Sequence, residues 1–210
     1  MSCSSDSLSS CSSNGSTELF ETITKNVRRA GKHKKAVFVC GAAGTGKTSG
    51  RPKFLEDAGV SPGSYVYLNP DELGGNQSLL THLLEKAVSQ NYSFVFDATC
   101  RNRRYVSSLM KSLKGYKIIL CMTYASLETA LQRVKQRVSQ PVPEAIVRDI
   151  YQHMKKNAET YMKLSFIDEL YLYNNEETSK LIFHKSKKRI ECVSPGSGFY
   201  FDVSKYCPKE

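Results

Sequence analysis

Short apolar runs alternate along this chain with longer stretches in which apolar residues recur at helical spacing, the pattern that successive βαβ units leave in a sequence. Residues 36–40, 65–68, 94–96 and 117–123 are runs of strand length, each bounded by turn or polar residues. Between them, Leu79, Leu80, Leu83, Leu84, Ala87 and Val88 predict one helix with an apolar stripe. Ser126 is placed to cap a second, whose stripe is Leu127, Ala130, Leu131, Val134 and Val138. Pro141 and Pro143 interrupt the chain, and Pro143 suits the first turn of a third helix carrying Ile146, Val147, Ile150, Met154 and Tyr161. Residues 170–173 and 181–183, either side of Asn174-Asn175-Glu176-Glu177, predict a hairpin or strand pair.

A chain of 210 residues, 40% hydrophobic, is long enough for one medium domain whose core needs no metal or disulfide staple. Residues 1–17 are mostly serine without an aromatic residue, and predict a disordered tail. The main domain is expected over 18–185, followed by a basic, Ser/Gly-containing extension over 186–210. No run approaches the roughly 18 consecutive apolar residues of a membrane span. The start has neither the basic nor the apolar region of a signal peptide, so a soluble, intracellular protein is expected. Cys3, Cys11, Cys40, Cys100, Cys121, Cys192 and Cys207 form an odd, scattered set without a C-x-x-C pair, which speaks against a disulfide scaffold and a zinc site. Cys40 and Cys121, within apolar runs, read as small hydrophobes.

The net charge of +10 is compatible with nucleotides, nucleic acid or other polyanions as partners. Much of it lies in two runs: Lys25, Arg28, Arg29, Lys32, Lys34 and Lys35, then Lys185, Lys187, Lys188 and Arg189.

The chemistry is concentrated elsewhere. Gly41-Ala42-Ala43-Gly44-Thr45-Gly46-Lys47-Thr48, with Ser49 following, fits G-x-x-x-x-G-K-[ST] at every fixed position, after a strand and before a helix. Glycines let backbone N–H groups turn inward around phosphates, Lys47 can reach the β- and γ-phosphates, and the Thr48 hydroxyl can ligate Mg²⁺. The implied fold is α/β, a P-loop NTPase-like three-layer sandwich with a mostly parallel central sheet and helices on both faces. Pro52 and Gly50 weaken the helix after the loop, which is expected to be short, kinked or restarted at Pro52. Asp71, beyond the second strand, can accept a proton from a substrate hydroxyl. Asp97, ending the third strand, can approach Mg²⁺ directly or through water, with Thr99 and Arg101 facing the same crevice. Arg133, Arg137 and Arg148 flank the proline interruption and can supply cations for the transferring charge.

The order of these blocks resembles the zeta toxin family of P-loop kinases over roughly residues 37–185. The blocks are GAAGTGKTS, YVYLNPDEL, FVFDATCR, LCMTYASLETALQRVKQR and the run from VPEAIVRDIYQ to LIFHK. The resemblance implies a kinase that uses ATP and Mg²⁺ to phosphorylate a sugar hydroxyl, as in members acting on UDP-N-acetylglucosamine. By position, Lys47 and Thr48 would bind phosphate and magnesium, Asp71 would be the catalytic aspartate, Asp97, Thr99 and Arg101 the second acidic block, and Arg133 the first clamping arginine. Three positions depart from the family pattern. Asn69 replaces the first aspartate of D-x-D. The second clamping arginine falls near Gln140, leaving Arg137 or Arg148 to substitute. A substrate-pocket glutamate aligns with Thr81, with Glu85 one turn away.

Two alternatives stand beside the sugar kinase. A polynucleotide or RNA-end kinase uses the same loop and aspartate, and the basic runs favour it, although neither run interleaves aromatic residues for stacking. A nucleotide-binding protein that has lost turnover is the other, motivated by Asn69 and Gln140. An antitoxin-like protein partner leaves no signature in the sequence.

Overall fold

The apolar runs become five parallel strands in the computed structural model, which describes residues 8–137 and 142–208. They are β1 (Lys35–Cys40), β2 (Val66–Leu68), β3 (Phe94–Ala98), β4 (Lys117–Tyr124) and β5 (Glu169–Asn174); β6 (Lys180–Ser186) and β7 (Ile190–Cys192) continue the sheet antiparallel. The order is β2-β3-β1-β4-β5-β6-β7. β1 lies between β3 and β4 and is buried on both faces, which is why 36–40 reads as unbroken apolar sequence instead of alternating.

Helices cover both faces. α1 (Leu8–Thr24), α3 (Gln77–Ser89), α4 (Arg103–Ser112) and α6 (Glu144–Met162) pack Phe20, Leu80, Leu83, Val106, Met110, Met154 and Tyr161 with Phe38 and Phe96. On the other face α2 (Lys47–Asp57) brings Phe54 and Leu55 against Val37, Val39 and Tyr173. α5 (Leu127–Lys135) packs beside α6, with Val134 and Val147 meeting Ala43. The three-layer arrangement expected from the sequence is therefore present. The chain leaves β1 toward β2 and β3 on one side and later returns to β4 on the other, so the switch point of the sheet lies at the end of β1, where open α/β folds bind ligands.

Several expectations change. The stretch predicted to be disordered to residue 17 runs into α1 from Leu8. Phe20 docks edge-on against Tyr92, and once such a turn is anchored, helix extends at one hydrogen bond per residue. Residues 1–7 lie outside the described residues. α2 runs through Pro52 without restarting; beyond the proline, Phe54 is fully buried against Tyr173, ring centroids 4.3 Å apart, and this packing outweighs the lost hydrogen bond.

The cysteines also differ from expectation. Cys40 and Cys100 form one disulfide and Cys192 and Cys207 another, while Cys121 is a buried free thiol. Linear spacing hides both pairs, because each is made by the sheet: the first joins the ends of neighbouring β1 and β3, the second closes the chain after β7. Nor does the chain divide at 185, which falls inside β6. β7 extends the sheet, and Tyr200 and Val203 are buried in the same core cluster as Phe38.

The two basic runs converge on the base of the sheet, the edge opposite the end of β1. Lys32–Lys35 lead into β1, Lys117 opens β4, and Lys187, after antiparallel β6, pairs with Asp168 just before β5.

Candidate active site

β1 delivers the chain to Gly41 at the switch point, and the loop then depends on two left-handed residues, Gly44 (φ 82) and Gly46 (φ 80). Gly44 also passes so close to α5 that a Cβ there would collide with the Ala130 backbone. Gly46 is the N-cap of α2, so the helix begins with Lys47 and its free N–H groups face the loop. Lys47 donates from Nζ to the carbonyls of Gly41 and Ala42 at 2.8 and 3.2 Å. Burial pushes its ammonium pKa down, Asp97 and Asp71 oppose that, and Arg137 adds to the lowering. The charges of Asp97, Asp71 and Arg137 thus all reach Lys47. Thr48 and Ser49 are exposed at the start of α2, with Ser49 Oγ donating back to Gly46 O.

Asp97 is 2% exposed at the end of β3 and accepts from the Tyr67 hydroxyl at 2.8 Å. Asn69 serves two neighbours: its Nδ2 donates to the Tyr67 hydroxyl (3.1 Å) and its Oδ1 accepts from the Asp71 N–H (2.8 Å). That Asx turn presents Asp71, which is exposed, on the short loop after β2. Thr99 is half-buried just beyond Asp97. Arg101 instead reaches across the surface to Asp149 of α6 (3.4 Å).

The arginines take different roles. Arg133 gives its guanidinium to main-chain carbonyls, those of Asn175 and Glu176 at 2.8 Å each and Gly44 at 3.4 Å. Arg148 pairs with Glu144 on its own helix at 2.6 Å. Arg137 is the arginine whose charge reaches Lys47. Gln140 lies outside the described residues.

Several residues that support the loop carry no motif. Thr123 and Thr45 share a hydroxyl hydrogen bond of 2.8 Å, and Asn175, 3% exposed, donates from Nδ2 to Thr45 O at 2.8 Å. Glu176 accepts from the Ser126 N–H and hydroxyl and from Thr129, tying the cap of α5 to the β5–β6 turn. Tyr200, from beyond β7, receives the Ala42 N–H on its hydroxyl at 3.4 Å. A polar turn such as Asn174–Glu177 reads as an ordinary hairpin in sequence; only the sheet order, which sets β5 beside β4, brings it to the loop.

The donor set suits a magnesium ion carried by a nucleotide. Thr48 offers a hydroxyl and Asp97 an oxygen, Oδ1, that no protein donor engages among the described residues. No trio of acidic, His or Cys side chains forms a protein cage among them, consistent with Mg²⁺ held by one or two carboxylates and phosphates.

The zeta toxin family model matches residues 75–188, just over half of the chain. This chain belongs to the zeta toxin family of P-loop kinases. The match begins after the P-loop and Asp71, so those parts of the site rest on their own geometry. Among solved structures, a chain of the PezAT chromosomal toxin–antitoxin system of Streptococcus pneumoniae aligns at 16% identity over 88% of this chain and 84% of its own, with TM-score 0.64. AvrRxo1-ORF1:-ORF2 solved with ATP aligns at 15% identity over 85% of this chain and 68% of its own, with TM-score 0.66. At these identities the shared property is the fold. None of the curated proteins compared matches the chain. Against the zeta toxin pattern, Asn69 has become a structural hub instead of a first acid. The Thr81 hydroxyl is turned back onto Gln77 O within α3, and Glu85 is exposed one turn on.

Proposed function

We propose that this zeta toxin family member transfers the γ-phosphate of ATP to a hydroxyl of a small sugar or nucleotide-sugar acceptor. The observation that carries the reading is the grouping of Lys47, Asp97 and Asp71 at the switch point of the sheet, close enough for both carboxylates to act on the ammonium. The loop N–H groups and the start of α2 hold the β-phosphate, and Lys47 swings from the Gly41 and Ala42 carbonyls to the transferring phosphate. Thr48 and Asp97 would hold a magnesium ion, Asp97 directly or through water, and the ion would supply charge neutralisation for the nucleotide phosphates. Asp71, exposed on its loop, takes the acceptor hydroxyl proton. Arg137 supplies the cation over the leaving charge, while Arg133 acts as a positioning residue through the backbone it binds.

The placement of the basic runs bears on the polynucleotide-kinase alternative. They lie at the base of the sheet, the far end from the P-loop, which favours a small acceptor over a strand end guided to Asp71 by these runs. The conformity of the loop and the burial of Asp97 favour turnover over a binding-only protein. A protein partner, as in the AvrRxo1-ORF1:-ORF2 complex, is compatible with this reading.

Labelled ATP incubated with panels of nucleotide sugars, sugars, nucleosides and oligonucleotides tests the proposal. Label is expected in a sugar or nucleotide sugar, and Asp71→Ala should lower transfer by about 10²–10⁴-fold with ATP binding kept. Label confined to RNA ends, or an Asp71→Ala variant with full activity, would overturn it.

A further inference from the structure

We infer that the segment from Val193 to Cys207 is a working part of the nucleotide site, with Tyr200 as a positioning residue for the P-loop and the Cys192–Cys207 disulfide as its latch. The inference rests on the phosphotransferase reading. The segment lies beyond the family match and, apart from a 3₁₀ turn at Val203–Tyr206, has no regular structure to order it.

Its course is nevertheless anchored along its length, and the anchors at Asn174 and Tyr124 belong to elements that support the P-loop. Gly198 O accepts from Asn174 Nδ2 (2.8 Å), at the turn whose next residue, Asn175, holds the P-loop. Phe199 and Tyr200 pack against Tyr124 at the end of β4, with centroids 5.7 and 5.2 Å away, and Tyr200 also meets Tyr151 of α6 at 5.3 Å. The Tyr206 hydroxyl donates to Glu159 of α6 at 2.6 Å. Cys207 then returns the chain to Cys192 at the edge of the sheet.

Between these anchors Tyr200, 5% exposed, carries a hydroxyl to the first turn of the P-loop. The Ala42 peptide is thereby held at both ends: its N–H by Tyr200, and its carbonyl by Lys47 Nζ and the Thr45 hydroxyl. When Lys47 leaves for a phosphate, the Tyr200 contact keeps the loop in register. A tail that merely covered the core would need only the rings; a polar atom set on a P-loop amide indicates preorganisation of the phosphate cradle. The disulfide confines the segment to a loop of 15 residues, so little entropy opposes seating the rings.

The test uses the full chain, Tyr200→Phe, the pair Cys192→Ser/Cys207→Ser, and all three substitutions together. Two quantities are read: affinity for the fluorescent N-methylanthraniloyl analogue of ATP with Mg²⁺, and amide hydrogen exchange of nucleotide-free peptides covering 41–46 and, as reference, 35–40. Tyr200→Phe should weaken binding about five-fold, the scale of one hydrogen bond, and speed exchange over 41–46 with 35–40 unchanged. The cysteine pair should act in the same direction, and the combined variant should lose less than the sum, because both act through one contact. Wild-type affinity and exchange in Tyr200→Phe would overturn the inference, as would faster exchange spread evenly over both peptides. If the unaltered chain fails to bind the analogue, the phosphotransferase reading falls, and exchange over 41–46 still decides the part played by Tyr200.

Discussion

The Tyr67 hydroxyl donates to Asp97 Oδ2 across 2.8 Å, with the Arg51 guanidinium lying 4.3 Å over the tyrosine ring. The pair joins adjacent strands, β2 and β3, and fixes a buried carboxylate that would otherwise be costly to keep charged. Burial, followed by the charge of Asp97, holds the Tyr67 phenol well above its ordinary pKa, so it remains a donor at any working pH. Tyr67→Phe removes that donor while keeping the ring. A hydrogen bond to a charged group is worth about 1.5–3 kcal/mol, so the thermal midpoint should fall by about 3–12 °C. Apparent affinity for Mg²⁺ should change as well, read from the metal dependence of transfer.

Arg133 and Arg137 sit one helical turn apart and should fail differently. Arg133→Ala strips donors from three carbonyls and loosens the contact between α5, the P-loop and the β5–β6 turn. It should lower both the thermal midpoint and activity. Arg137→Ala, at an exposed position, should leave the midpoint within about 1–2 °C and lower kcat at least ten-fold, as loss of a transition-state cation does. A kcat unchanged in Arg137→Ala would remove its assigned role.

Glu176 gives a pH signature. Burial raises its carboxyl pKa, but the hydrogen bonds from Ser126 and Thr129, with Arg133 nearby, outweigh this and hold it below the ordinary value. A carboxylate depressed in the folded state stabilises above its unfolded pKa and loses that contribution as pH falls through the folded value. The midpoint of the unaltered chain should therefore fall more steeply between about pH 5 and pH 3 than that of Glu176→Gln, the two curves converging at the acid end. Parallel curves would deny Glu176 this role.

The disulfides set a further expectation. Loop-closure entropy gives about 4 kcal/mol for a crosslink spanning 60 residues and about 3 kcal/mol for one spanning 15. Cys40→Ala/Cys100→Ala should therefore lower the thermal midpoint by about 8–16 °C, and a dithiol reductant, which opens both disulfides, should lower the midpoint of the unaltered chain further. The same reductant should have no further effect on a variant lacking both pairs.

The legible part of this protein is local. The P-loop, the strand-ending Asp97, the cap at Ser126 and the parallel core strands announce themselves because one stretch of chain determines each. What stayed hidden depends on elements brought together from far apart. Asn175 and Tyr200 reach the loop only because β5 lies beside β4 and the chain turns back after β7. Cys40 and Cys100 are 60 residues apart and meet only through the β1–β3 pairing. Arg133 shows what a motif leaves out: its position suggests a phosphate clamp, and only the structure shows its guanidinium bonded to the main-chain carbonyls of Asn175 and Glu176. Pro52 shows the limit of propensity, since buried Phe54 keeps the helix intact beyond it.

Both basic runs gather at the base of the sheet, at the pole away from the P-loop. A polyanion that engages these runs would leave the end of β1 and its crevice clear. Immobilisation and catalysis are thus separable by geometry: the chain could be held on an anionic support by one pole while ATP and acceptor come and go at the other.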